Sequence, residues 1–140
     1  MALKMSRADL EHFIKEVFPQ VAEDFGVDHV APMEITMRLK VAERHLRPGG
    51  TVSGPSMFGL ADVSIYLAIM AMIGPKALAV TTNASFDFMR KPAAGVDLIA
   101  KCRLLKLGRV LAVGDVLLYS EGDDAPVARA SMTYSIPPER

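Results

Sequence analysis

Residues 53–75 read SGPSMFGLADVSIYLAIMAMIGP, an apolar run in which the only ionisable side chain is Asp62. Ser53 suits a helix N-cap and Pro55 an early helical position. Gly74-Pro75 supplies the stop, the glycine for a left-handed cap and the proline because it cannot continue a helix. The pattern predicts one long helix, and a helix that is apolar on all sides has to be wrapped by lipid or by protein. The run is nearly long enough for a bilayer, but it holds Gly54, Pro55, Gly59 and Asp62 and has no basic cluster close against either end. The expectation is therefore a buried helix and no membrane.

The sequence on either side reads as the wrapping. Downstream, Leu78–Phe88 is a strand rich in Val, Thr and Phe, and Lys91–Gly95 is a turn. Val96–Leu107 and Val110–Ser120 are two further strands joined tightly at Gly108-Arg109. Glu121–Pro126 is a hairpin loop, and in Val127–Ile136 the set Ala128, Ala130, Met132, Tyr134, Ile136 alternates with Val127, Arg129, Ser131, Thr133, Ser135. Upstream, Glu34–Val41 alternates strictly, with Ile35, Met37, Leu39 and Val41 on one face. A shorter strand precedes it around Val27–Ala31, beyond Pro32. Residues 43–51, ERHLRPGGT, form a loop around Pro-Gly-Gly. The chain opens with an amphipathic helix capped by Ser6, with Asp9 three residues on, and ended or bent near Pro19.

Short turns lead us to expect the four strands after the long helix to form an antiparallel meander, each beside the next. A strongly curved antiparallel sheet can roll round one apolar helix. This α+β arrangement is the hotdog architecture, and the expectation is a single such domain over residues 1–140. Its open edge and exposed helix flank favour a dimer.

Composition bounds the function. The 140 residues are 51% hydrophobic and 23% charged, enough for one globular core. A formal net charge of zero argues against an overall electrostatic hold on nucleic acid or an anionic membrane. Cys102 is the only cysteine, which excludes an intrachain disulfide and fits a reducing compartment. The first residues reach charged groups before any apolar stretch of signal length, so a cytoplasmic protein is expected. No Walker or Rossmann glycine pattern occurs, residues 54–58 are not a GxSxG elbow, and the three histidines share no ligand spacing, so no metal is expected.

Two features carry chemistry. Asp62 lies about two turns into the helix, beyond the reach of first-turn capping, and no Lys or Arg in the helix can pair with it. A desolvated carboxylate has a perturbed pKa, which suits a general base or nucleophile. The plain alternative is an Asp that satisfies a backbone group or reaches solvent where the helix emerges. The helix start at Ser53-Gly54 offers free amides, which stabilise an anion such as a tetrahedral oxyanion, and Gly54 permits close approach.

The segment His45–Asp62, HLRPGGTVSGPSMFGLAD, resembles the signature of hotdog acyl-CoA thioesterases of the phenylacetate-pathway type, in the 4-hydroxybenzoyl-CoA thioesterase superfamily. The likeness continues through residues 88–92, FMRKP, then Gly95 and Gly108-Arg109. The resemblance implies Asp62 as nucleophile or general base, the Gly54 N–H as oxyanion donor and Thr81, with Thr82 beside it, as holder of the attacking water. It implies coenzyme A as part of the substrate, no separate cofactor, and a homodimer or dimer of dimers whose site lies at the subunit interface. There, the carboxylate of one subunit faces the oxyanion donor of the other. Arg90, Lys91, Lys106 and Arg109 are the cations expected to gather around the phosphates of coenzyme A. Three positions depart from the pattern: Arg47 stands for Asn, Ser53 for His, and Pro55 for a Gly. An Arg at 47 can bind a carboxylate or phosphate. Three readings follow: a thioester hydrolase, an acyl-CoA or small-acyl binding protein without turnover, and a purely structural oligomer with Asp62 satisfied by local hydrogen bonds.

Overall fold

The computed structural model describes residues 2–138. It contains α1 (Arg7–Val17), β1 (Phe25–Ala31), β2 (Glu34–Leu39), α2 (Gly54–Ile73), β3 (Val80–Phe88), β4 (Leu98–Leu107), β5 (Leu111–Ser120) and β6 (Ala128–Ser135). The capping box at Ser6 forms as its sequence requires, with Ser6 Oγ accepting from the Asp9 N–H and Asp9 from the Ser6 N–H. Ser53 caps α2 by accepting from the Ser56 N–H, and Gly74 takes the positive φ of 89° that ends it.

All six strands pair antiparallel, in the order β1-β2-β4-β5-β6-β3. One face of the sheet is lined by Ile35, Met37 and Leu39 from β2, Leu98 and Ala100 from β4, Ala112 and Leu118 from β5, and Ala128, Ala130 and Met132 from β6, all buried. Against it lies α2, whose residues from Leu60 to Met72 are buried apart from Asp62. The helix is apolar and long enough to cross a membrane, yet it is the core of a sheet-wrapped domain. This is the hotdog fold. Small residues let the helix close on the sheet: a Cβ at Gly114 would meet Ile65 Cδ1 at 2.5 Å and the Arg103 carbonyl oxygen at 3.2 Å.

The meander is shorter than expected. Only β4, β5 and β6 follow one another as neighbours; β3 pairs with β6 at the far edge, from Val80 opposite Ser135 to Phe88 opposite Ala128. Both edges of β4 are taken, by β2 and β5, so the strand before it has to pair elsewhere. The link over residues 89–97 makes the crossing. Pro92 has no N–H for a ladder, and Gly95 turns the chain at φ 78° before β4. Its course is pinned by the Met89 and Arg90 N–H groups, both donating to the Val127 carbonyl, and by the Ala93 N–H on Ser120 Oγ.

Candidate active site

The crossing decides what Asp62 meets. With β3 beside β6, Thr81 stands directly opposite Tyr134, and both hydroxyls reach the same carboxylate oxygen. Thr81 Oγ1 donates to Asp62 Oδ1 at 2.5 Å and the Tyr134 hydroxyl donates to it at 2.8 Å. The register of β3 slips immediately after Thr81, leaving Thr82 unpaired as a bulge. Thr82 is exposed and gives its hydroxyl to the Thr133 carbonyl at 3.3 Å, so of the two threonines only Thr81 touches the acid.

Asp62 is half-buried, and it opens on a cleft of about 420 Å³. Val63, Tyr66, Ala79, Val80 and Tyr134 line the cleft, together with Val17 and Phe18 from the end of α1. The aromatic wall is continuous: the Tyr66 ring lies 6.1 Å from that of Tyr134 and 6.1 Å from Phe13. Burial, and next the charge of Asp62, push the Tyr134 hydroxyl well above the ordinary phenol range, so it remains a donor. Tyr134 is the partner of Asp62 that sequence reasoning missed. The available signal was a hydroxyl within the apolar set of β6, since a buried Tyr needs a hydrogen-bond partner.

The start of α2 lies at the other end of β3. The Ser53 N–H donates to the His45 carbonyl, the Ser56 N–H to Ser53 Oγ and the Met57 N–H to the Ser53 carbonyl, while Pro55 has none to give. Gly54 is thus the one first-turn amide without an acceptor among the described residues. A Cβ there would lie 3.4 Å from the Phe88 ring, and exposed Phe88 stacks on half-buried Phe86, which also meets exposed Phe58. Along the helix axis Gly54 and Asp62 are about 12 Å apart, at 1.5 Å per residue, so one chain cannot bring both to the same carbonyl.

The loop ahead of the helix is held by a buried histidine. His45 Nδ1 accepts from the Ala42 N–H, which leaves the proton on Nε2, 3.2 Å from Asp24 Oδ2; Arg44 also pairs with Asp24. Burial pushes the Asp24 carboxyl up, but these partners outweigh it and hold it below the ordinary range. Gly49 and Gly50 take φ of 104° and 86° in the turn closed by the Arg47 N–H on the Thr51 carbonyl, and Arg47 itself is exposed.

The four expected cations do not gather within one chain. Arg90 and Lys91 follow β3 at its Phe88 end, where Arg90 Nε donates to the Pro126 carbonyl. Lys106 and Arg109 lie at the β4–β5 turn near the opposite end, about 25 Å away along a strand of this length. There Arg109 joins Lys4 and Lys76 around a cleft of about 660 Å³, floored by Ile73, Val110 and Ile136.

Residues 49–127 match the thioesterase superfamily. A crystal structure from Silicibacter sp. TM1040 of a protein assigned as a thioesterase superposes with a TM-score of 0.93 at 64% identity, covering 99% of this chain and 96% of that one. A mutant of the phenylacetic acid degradation protein PaaI from Thermus thermophilus is similar over 85% of this chain and 99% of its own, at 30% identity and a TM-score of 0.73. A Pseudomonas aeruginosa protein assigned as an esterase is 30% identical over 107 residues, which is 76% of this chain and 78% of that protein. Sequence match, fold and superposition agree, and the chain belongs to the thioesterase superfamily.

Proposed function

We propose that the protein is an acyl-CoA thioester hydrolase of the phenylacetate-pathway type, acting as a homodimer. The observation that carries the reading is Asp62: a carboxylate in an otherwise apolar helix, with one oxygen bound by two hydroxyls, opening on an aromatic cleft. A carboxylate so placed either attacks the thioester carbonyl or removes a proton from the attacking water. In both routes the C–S bond breaks and the thiolate of coenzyme A leaves and takes up a proton; water supplies the oxygen of the free acid, directly when Asp62 acts as base and by hydrolysing the mixed anhydride with Asp62 when it acts as nucleophile. The developing oxyanion needs a donor, and the unused Gly54 N–H is the candidate.

The dimer supplies the missing proximity. β3 is an open edge, and its flank continues into the uncovered stripe of α2, where Pro55 and Phe58 are exposed and Gly59 and Asp62 partly so. A second copy laid antiparallel along β3 would set its own Gly54 against Asp62 of the first. The same assembly would bring Arg90 and Lys91 of one subunit towards Lys106 and Arg109 of the other, giving the phosphates of coenzyme A their cations.

A second reading, acyl-CoA binding without turnover, is favoured by positions 47 and 53. Arg47 is exposed on its turn, and Ser53 spends its hydroxyl on Ser56. Thiol release from a panel of acyl-CoAs, native protein against Asp62→Asn, separates the two. Turnover that falls at least a hundredfold in the variant supports the hydrolase. Equal rates remove Asp62 from the reaction, and tight binding without release by the native protein favours the second reading.

A further inference from the structure

The two hydroxyls on Asp62 differ in kind. Thr81 is partly buried on the edge strand, whereas Tyr134 is 3% exposed on β6, between β5 and β3. Besides its 2.8 Å contact with Oδ1, the Tyr134 hydroxyl lies 3.1 Å from the main-chain carbonyl oxygen of Asp62. One rigidly mounted phenol therefore spans the backbone and the carboxylate of a single residue, which restricts the torsions between them. Both hydroxyls fall on Oδ1, and no donor among the described residues reaches Oδ2. A carboxylate oxygen with two donors is the poorer base and nucleophile of the pair, because its lone pairs are already engaged.

We propose that Tyr134 is a positioning residue: with Thr81 it ties down Oδ1, fixes the rotamer of Asp62 and leaves Oδ2 as the oxygen that does the chemistry. This rests on Asp62 being the base or nucleophile of the hydrolase read above. The ring of Tyr134 packs on Tyr66 whether or not the hydroxyl is present, so Tyr134→Phe removes one oxygen from a retained core. Thr81 remains to satisfy Oδ1, and the variant folds.

The test compares native protein and Tyr134→Phe by steady-state hydrolysis and by the Hα–Hβ couplings of Asp62 in NMR. The expected outcome is a kcat lower by about 10–100-fold, the weight of one charge-assisted hydrogen bond, with KM within about twofold. The couplings change from those of one χ1 rotamer to a rotamer average. An unchanged kcat, with only a lower Tm, would overturn the positioning role and leave Tyr134 as a satisfied core tyrosine. If native protein releases no thiol from any acyl-CoA, the hydrolase reading fails separately. The couplings then decide alone: averaging in the variant upholds the positioning role, and unaltered couplings overturn it.

Discussion

Gly54 combines three features in one residue. It packs beside Phe88, where an added Cβ would make an ordinary contact at 3.4 Å, it begins the helix, and it keeps an N–H that its neighbour Pro55 lacks. Gly54→Pro isolates the third. Proline is tolerated at the first helical position, and Ser53, at φ −74° and ψ 157°, already has the backbone that precedes a proline. That variant is expected to lose about 10²–10³ in kcat with little change in Tm, whereas Gly54→Ala, which keeps the N–H, serves as the steric control. Thiol release and a melting curve on both proteins check it. Asp62 and Gly54 were legible in the sequence because each breaks a local rule: an acid in an apolar run, and a glycine at a helix start beside a proline. Tyr134 breaks none. A tyrosine on the apolar face of a strand reads as core filling, and only the register of β3 on β6 shows where its hydroxyl goes.

Elements were read well where local chemistry fixes them and badly where competition does. The caps of α1 and α2, the alternation of β2 and the Pro-Gly-Gly turn are decided within a few residues and stand as the sequence implies. The partner of β3 is decided by which edges β2 and β5 leave open, a non-local choice that no window of sequence holds. Packing of α2 on β5 offers one test. Gly114→Ala places a methyl against Ile65 and the Arg103 carbonyl and is expected to destabilise the fold by about 1–3 kcal/mol in denaturant titration. The loop before α2 offers another through Asp24. Its carboxyl is held low in the folded state, so its contribution is present above the unfolded carboxylate range and is lost as pH falls through the lower, folded value. Asp24→Asn is therefore expected to melt below native protein at neutral pH, with the gap closing as pH falls below the ordinary carboxylate range. A gap that does not change with pH would assign the loss to packing.

At the scale of the molecule, one chain carries the parts of the proposed site without joining them. The carboxylate and the free amide sit about 12 Å apart on one helix, and two pairs of cations lie at opposite ends of the sheet. Beside them runs an uncovered edge strand with apolar side chains at both ends, Val80 and Phe88, each 55% exposed. The proposed homodimer accounts for all of these at once, and sedimentation is expected to give about twice the 15.2 kDa chain mass. The most direct test joins two inactive proteins. Asp62→Asn and Gly54→Pro, co-expressed with different tags and isolated as the mixed dimer, leave one site intact, built from Asp62 of one chain and Gly54 of the other. The account predicts thiol release at about half the native rate per dimer, one working site of two. A mixed dimer as inactive as either parent would contradict it.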